Sequence, residues 1–318
     1  MSLKHVVVGG AGFIGSHLVD ALLKRGDRVI VIDNLYSGSM KNLQDAMKNK
    51  NFKFIHLDIQ DIDKVTANLI NQDIDTLFNL ATAGLLYSLV MPEWCCVEEL
   101  KIAQTCCSLS RNKIIKKYVH FSSSEVYGNV SIVPLDDRNK KSPTTPYAVG
   151  KNAADNLIKT MIDIFNLDAV IIRPFNNFGY RQINFEYQGI IPKTIRLFNS
   201  NKPVIINGSG EQKRDFIYVE DMLTRLFMIL DYHFDVKNKY KNIIYQICSG
   251  QAIRIIDLVK LIAEIGDFKC NVIFEKERPG DIDCLVGIET NINQKYPTLI
   301  PIDESIGFLI KKEKEKCV

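Results

Sequence analysis

His5-Val6-Val7-Val8-Gly9-Gly10-Ala11-Gly12-Phe13-Ile14-Gly15-Ser16-His17-Leu18 is the stretch on which the fold turns. It opens as a β-branched apolar run, passes through four glycines between positions 9 and 15, and continues with Ile14, Leu18, Ala21 and Leu22 on one helical stripe. Strand, tight turn and helix therefore follow one another without a linker. The turn satisfies both GxGxxG and GxxGxxG. Glycine at these points permits the turn, lets a backbone approach a pyrophosphate, and brings helix and strand close together. The helix start then presents free N–H groups and the positive end of its dipole. Asp33 closes the next apolar run, Arg28–Ile32. A carboxylate there accepts hydrogen bonds from ribose hydroxyls and repels a 2′-phosphate, so the expected cofactor is NAD, not NADP.

Outward from this unit, strands are expected at His5–Val8, Arg28–Ile32, Phe52–His56, Thr76–Leu80, Lys117–Ser122 and Ala169–Arg173. Helices fall between them at Phe13–Arg25, Ile62–Ile70, Pro92–Arg111 and Pro146–Phe165. Such alternation predicts an α/β fold: a Rossmann doubly wound parallel sheet with helices on both faces. After Arg173 the rhythm loosens. Loops are expected at Asn176–Gln188, Asn207–Lys213 and Glu277–Asp283, with helices near Gly189–Asn199, Glu220–Asp231 and Ile255–Ile265. The expected domains are 1–175, binding NAD, and 176–318, a smaller C-terminal substrate-binding lobe, with some chain crossing between them.

Composition narrows the function. The 318 residues are 46% hydrophobic and 24% charged, with 40 basic and 37 acidic side chains giving a net charge of +3. That balance points to no nucleic-acid and no membrane partner. The start lacks a signal peptide's apolar core, and a cytoplasmic protein is expected. Eight cysteines and five histidines are scattered without CxxC or HxxxH spacing, so the thiols are read as reduced and no metal site is expected. Lys311–Lys316, a run of alternating charge, reads as a solvated end.

Chemistry gathers after the fifth strand. Phe121-Ser122-Ser123-Ser124-Glu125-Val126-Tyr127-Gly128 puts hydroxyls at the carboxyl edge of the sheet. Thr145-Pro146-Tyr147-Ala148-Val149-Gly150-Lys151 then opens a helix with a YxxxK pair, Tyr147 and Lys151 one turn apart on one face. A phenol with an ordinary pKa of about 10 is a poor base at neutral pH. A nearby ammonium and an oxidised nicotinamide favour the phenolate.

With these motifs in place, the chain resembles the extended short-chain dehydrogenase/reductases that modify nucleotide-sugars: 4-epimerases, 4,6-dehydratases and decarboxylases. The matching pieces are GGAGFIGSHL, DNLYSG, LDIQD, NLAT, SSSEVYG, PYAVGK, RPFNNFG, GSGEQKRDFIYVED and RPGD. The resemblance implies that NAD contacts Gly9, Gly12, Phe13, Ile14, Gly15, Asp33 and Asn34, with Asp58 and Ile59 flanking the adenine. Tyr147 takes the proton of the sugar 4-hydroxyl, Lys151 holds the nicotinamide ribose, and Ser123 bridges to the sugar. Asn176, Arg214 and Arg278 resemble ligands of the substrate diphosphate, which suits arginine's forked donors. The resemblance also implies a homodimer, because Pro92–Arg111 and Pro146–Phe165 carry apolar residues on more than one face (Val97, Leu100, Ile102, Ala103; Leu157, Ile158, Met161, Ile162).

Three departures bear on the substrate. Asn79 replaces the histidine of an HLAA-type strand end, Ala81–Pro92 is one residue shorter than in the commonest relatives, and Asn207 stands where an aromatic is frequent. The step after C4 oxidation stays open. Glu125 matches the carboxylate of several dehydratases and decarboxylases, whereas Ser124 stands where many dehydratases carry an acid. The reading favours 4,6-dehydration, with 4-epimerisation, decarboxylation or release of the 4-keto sugar as alternatives. A non-catalytic NAD-binding protein is the remote alternative, against which stand both Tyr147 and Lys151.

Overall fold

The computed structural model describes residues 2–129, 134–136, 138–182, 189–235, 242–292 and 295–315 of the chain. Along the first part run β1 (Lys4–Val8), α1 (Phe13–Lys24), β2 (Arg28–Asp33), β3 (Phe52–His56), α2 (Ile62–Leu69), β4 (Ile74–Asn79), α3 (Pro92–Arg111), β5 (Ile115–Phe121), α4 (Pro146–Phe165) and β6 (Ala169–Pro174). Then come β7 (Asn176–Phe178), α5 (Ile190–Asn199), β8 (Val204–Asn207), β9 (Lys213–Tyr218), α6 (Val219–His233), β10 (Ile244–Ile247), β11 (Ala252–Arg254), α7 (Ile255–Gly266), β12 (Val272–Glu275), β13 (Cys284–Leu285) and α8 (Ile302–Glu315).

Seven strands form one sheet in the order β10-β6-β5-β4-β1-β2-β3. The registers run parallel from β3 to β6, for example Val7 beside Val31 and Phe78. Strand order reverses between β1 and β4, the switch point at which doubly wound sheets bind ligands beyond their carboxyl ends. β1 and β2 are almost wholly buried. They therefore read as continuous apolar runs, as strands covered on both faces must. Val6, Val8, Ile30 and Ile32 share a core with Ile102, Ala103 and Cys106 of α3 and with Ala154, Ile158 and Ile162 of α4. Burying a side chain of this size contributes about 1.5–3 kcal/mol.

By their contacts the residues fall into two compact units: Met1–Val126, Thr145–Arg173 and Leu230–Tyr245 in one, Tyr127–Thr144, Pro174–Ile229 and Gln246–Val318 in the other. The second unit holds a small sheet, β11-β9-β13, with β7 also on β9, and a parallel pair, β12-β8. Its anchor is Asp215 on β9. This buried carboxylate accepts from Ser249 N (2.7 Å), Ser249 Oγ (2.7 Å), Gly250 N (2.9 Å) and Gly287 N (3.2 Å). Two loops are thereby pinned to one strand.

The structure adds to the sequence expectation in several places, among them the short strands β8, β9, β11, β12 and β13. Asn176–Phe178, expected within a loop, is β7 and pairs with Phe216–Tyr218; positions 183–188 of that loop lie outside the described residues. The seventh strand, β10, was not expected; its four residues are buried on both faces and so show no alternation. The tail through Glu315 is helical in α8, burying Ser305, Ile306, Leu309 and Ile310 while Lys312 pairs with Glu315 at the exposed end. Beyond β5, residues Ser124–Tyr127 make a single 3-10 turn.

Candidate active site

The glycine loop is rigid before any ligand is considered. Gly9 has φ +75, and Gly12 N–H closes the turn onto Gly9 O at 3.1 Å. A Cβ on Gly15 would lie 2.2 Å from Gly9 O, so only glycine lets α1 start this close to the turn. Ala11 is held from three sides. Its N–H donates to Asp33 Oδ2 (2.8 Å), and its carbonyl accepts from Ser39 N (3.0 Å) and Asn42 Nδ2 (2.9 Å). Asp33 also accepts from Leu35 N at 2.8 Å. Burial pushes its carboxyl up while these two N–H groups pull it down. α1 begins at Phe13 with no acidic residue in its first turn. No carboxylate of its own first turn competes for the N–H groups that a helix start can offer an anion.

A dinucleotide fits this donor set: a glycine-walled helix start for the pyrophosphate and a carboxylate at the end of β2 for the ribose. Asn34 and Asp58 meet at the exposed edge of the same region, Asn34 Nδ2 donating to Asp58 Oδ2 at 2.8 Å, and Ile59 beside them is buried.

Ser123, Glu125, Tyr147 and Lys151 come together at the carboxyl end of β5. Thr145 caps α4 by accepting from Ala148 N at 3.2 Å, and Pro146 fixes the first helical φ, so Tyr147 and Lys151 occupy the first two turns. Ser123 Oγ accepts from Glu125 N at 3.2 Å and shares a hydrogen bond with the Tyr147 hydroxyl. Lys151 is buried. Its ammonium lies 5.8 Å from the Tyr147 ring centre and donates to Phe121 O at 3.0 Å. Enclosure of the phenol raises the pKa of Tyr147. Lys151 and the Ser123 hydrogen bond lower it, but Glu99 and Glu125 raise it, and the balance is upward. The ammonium by itself therefore does not make this tyrosine a base at neutral pH.

Glu99 was missed in the sequence. It is buried on α3, its Oε2 lies 2.9 Å from Lys151 Nζ, and its Oε1 accepts from Thr82 Oγ1 (2.6 Å) and Ala83 N (2.8 Å). Burial lowers the Lys151 pKa, but Glu99, Tyr147 and Asp155 raise it further than burial lowers it. A signal was present. Cys95, Glu99, Ile102, Ala103 and Cys106 form one helical stripe, and a lone carboxylate on such a stripe needs a buried partner.

Beneath Lys151 lies a second polar layer. Arg173 and Asp155, both fully buried, pair at 2.7 Å. His120 stands 3.9 Å from Asp155, with its Nδ1 beside Tyr118 Oη (3.1 Å) and Asn79 Nδ2 (3.3 Å). Asn79, the departure at the end of β4, thus faces the core. Burial first, then Lys151 and Arg173, hold the His120 pKa well below its ordinary value.

In the second unit, Arg214 and Arg278 converge on one carboxylate. Arg214 Nη2 donates to Asp281 Oδ1 at 2.5 Å, and Arg278 Nη2 lies 3.6 Å from Asp281 Oδ2. Arg214 is buried and also donates to Ile282 O, whereas Arg278 is half-exposed. Asn176 Nδ2 donates to Asp215 O at 3.2 Å, and Asn207 Nδ2 to Lys276 O at 3.2 Å. Among the described residues no cluster of His, Cys, Asp and Glu could hold a metal ion, and no helix is long and apolar enough to cross a membrane.

A parallel sheet with a glycine-built dinucleotide loop and a Tyr–Lys pair on the following helix defines an NAD-binding fold equipped for proton and hydride chemistry. Comparison with known proteins gives the family: the chain belongs to the NAD dependent epimerase/dehydratase family, whose description matches residues 5–248. NAD is that family's cofactor. A dTDP-D-glucose 4,6-dehydratase of Dictyostelium discoideum is 31% identical over 282 residues, 83% of this chain and 62% of that protein. A UDP-N-acetylglucosamine 4-epimerase from Methanobrevibacter ruminantium, solved with UDP-N-acetylmuramic acid, is 31% identical with a TM-score of 0.86 over 99% of both chains. A UDP-glucuronic acid 4-epimerase from Bacillus cereus, solved with UDP-glucuronic acid and NAD, is 26% identical with a TM-score of 0.85, covering 98% of this chain and 100% of that one. The relatives thus act on nucleotide-sugars by two different reactions.

Proposed function

We propose that the chain oxidises C4 of a sugar carried on a nucleoside diphosphate and then eliminates water across C5 and C6. The observation that carries the second step is the position of Glu125. It stands on the 3-10 turn directly after Ser123, close enough to Tyr147 for its charge to act on the phenol. A carboxylate on the same turn as the serine beside the C4 base is placed to serve the neighbouring carbon.

Tyr147 Oη takes the proton of the 4-hydroxyl, and Ser123 Oγ keeps that hydroxyl and the phenol in line. NAD, when bound, supplies the acceptor of the C4 hydride and returns it at the end, so the net change is loss of one water. The ketone at C4 acidifies the C5 hydrogen. Glu125 removes it as a proton, the C6–O bond breaks as the C5–C6 double bond forms, and the departing hydroxide takes a proton from solvent to leave as water. The returning hydride would then add to C6 as Glu125 gives its proton back to C5. Lys151 spends two of its three N–H groups on Phe121 O and Glu99, which leaves one for the nicotinamide ribose. Gly9, Gly12, Phe13, Ile14 and Gly15 hold the pyrophosphate. Asp33 and Asn34 hold the adenosine ribose, and Asp58 and Ile59 the adenine. Asn176, Arg214 and Arg278, within 176–318, bind the substrate diphosphate, with Asp281 fixing both guanidinium groups.

The strapped helices α3 and α4 support a homodimer. They pack on each other, and of the residues expected at the seam Ile102, Ala103, Ile158 and Ile162 are buried in the core and Leu157 and Met161 pack against it. Val97 (47%) and Leu100 (37%) of α3 stay exposed, as do Val149 (44%), Ile164 (64%) and Phe165 (48%) of α4, and exposed apolar side chains on both helices suit a second copy of the pair.

One observation favours a second reading, 4-epimerisation. Ser124, next to Glu125, supplies no acid to the leaving hydroxyl, and the Methanobrevibacter relative is a 4-epimerase over its whole length. Glu125→Gln separates the two. Under the dehydratase reading, C4 oxidation survives, loss of water falls by about 10²–10⁴-fold, and wild-type incorporation of solvent deuterium at C5 is suppressed. Interconversion of C4 epimers by the wild type without deuterium at C5 would overturn dehydration in favour of epimerisation.

A further inference from the structure

We infer that Glu99 is a positioning residue for the C4 base: through α3 it fixes Lys151 and gives its ammonium a permanent counter-anion, so that Tyr147 stays a neutral phenol until another positive charge arrives. The inference rests on the reading of Tyr147 as the base.

The geometry is built for this contact. A Cβ on Gly150, the residue before Lys151, would lie 2.6 Å from Cys96 O and 2.9 Å from Glu99 Cβ. Only glycine lets α3 and α4 approach closely enough for a side chain as short as glutamate to reach the lysine. The other oxygen of Glu99 is occupied by Thr82 and Ala83, just beyond β4, so the carboxylate cannot swing away. The charged groups that act on the phenol are Lys151 of α4, Glu99 of α3 and Glu125 just past β5. Around Lys151 itself stand Glu99 and Cys95 on α3, Asp155 on α4 and His120 at the end of β5, with Arg173 of β6 behind Asp155. His120 is held neutral, and Arg173 is spent on Asp155. Lys151 is therefore the cation that acts on the phenol, and Glu99 is the anion that offsets it. An anion in contact with a cation cancels most of the field that the cation projects beyond the pair. Bound NAD would bring a positively charged nicotinamide ring to this site, and that charge would favour the phenolate of Tyr147. The base is thereby switched on by the oxidised cofactor and not before.

The test follows the ionisation of Tyr147 itself, by NMR of isotope-labelled tyrosine with the signal assigned through its loss in Tyr147→Phe, in protein stripped of nucleotide. Glu99→Gln keeps the size and an oxygen for Ala83 N–H but removes the charge, and the Tyr147 midpoint is expected at least about one pH unit below wild type. Gly150→Ala forces α3 away without altering any charge and is expected to move the midpoint in the same direction by less. An unchanged midpoint in whichever variant folds overturns the inference. Binding of NAD to wild type should lower the midpoint as well, and no shift on binding also overturns it. These readouts need no substrate. If Tyr147→Phe turned over a nucleotide-sugar at a near-normal rate, the assignment of the base would fail on its own, independently of what the titration says about Glu99.

Discussion

His120 makes a quantitative prediction about acid stability. Its ring is 1% exposed, its Nε2 has no hydrogen-bond partner, and the nearest carboxylate, Asp155, is engaged by Arg173. The folded protein therefore keeps the ring neutral at pH values where the unfolded chain, with its ordinary value of 6.5, is protonated. Unfolding then takes up a proton below about pH 6.5, and stability falls as the pH falls. For one proton the cost between about pH 7.5 and about pH 5.5 is roughly 1.4 kcal/mol. His5, also held low by burial, acts in the same sense, and the raised Asp33, Asp215 and Asp221 act in the opposite sense. All four remain in a His120→Gln variant, which keeps a polar group for Tyr118 and Asn79. Urea unfolding of the two proteins across that range should give curves of stability against pH whose separation changes by roughly 1.4 kcal/mol, the variant losing less toward acid. Parallel curves would refute the claim that His120 is neutral in the fold, whatever the variant's absolute stability.

The remaining predictions concern the ligands and the assembly. Denaturing freshly purified protein should release NAD; recovery of NADP, or failure of both nucleotides to bind, would contradict the assignment of Asp33. Light scattering at micromolar concentration should give a dimer mass, and Val97→Asp together with Leu100→Asp should shift it to monomer. A monomeric wild type would remove the role given to the exposed stripe on α3 and α4. Arg278→Ala should raise the KM for a nucleotide-sugar by about tenfold or more with little change in NAD affinity, since a hydrogen bond to a charged group contributes about 1.5–3 kcal/mol. Equal KM values would take Arg278 out of the diphosphate site.

Much of the nucleotide-binding half was legible because its signals are local. The strand–glycine–helix unit, the carboxylate closing β2 and the Thr-Pro cap before Tyr147 each depend on residues within one turn or one strand, and their boundaries fall within a residue or two of the expected ones. What escaped depends on partners far along the chain. β10 is a four-residue run whose only reason to be a strand is the free edge of β6, with Ile171 N–H donating to Ile243 O. Asn176–Phe178 reads as a loop until Phe216–Tyr218 is beside it. Glu99 could be suspected from its stripe, but its partner sits on another helix, and only the approach allowed by Gly150 brings them together. The placing of Glu125 was likewise not legible: past β5 the chain turns at Ser124, and Ser123 and Glu125 are related by a tight turn.

The grip of Asp33 on Ala11 limits how this chain could change its cofactor. With Asp33 at the ribose, as proposed, admitting a 2′-phosphate means removing its carboxylate, and the obvious replacement is a small neutral residue paired with a new arginine nearby. Here the same carboxylate accepts the N–H of Ala11 at 2.8 Å and that of Leu35 at 2.8 Å, and so ties down the glycine loop proposed to hold the pyrophosphate. Exchange of Asp33 alone would leave the buried N–H of Ala11 unmatched, at about 1–3 kcal/mol, and the half-buried one of Leu35 without its partner, and would loosen the site for either dinucleotide. Preference for the unphosphorylated ribose is consequently wired to the shape of the neighbouring turn. A route to NADP must first give Ala11 N–H a different acceptor, and only afterwards change the charge.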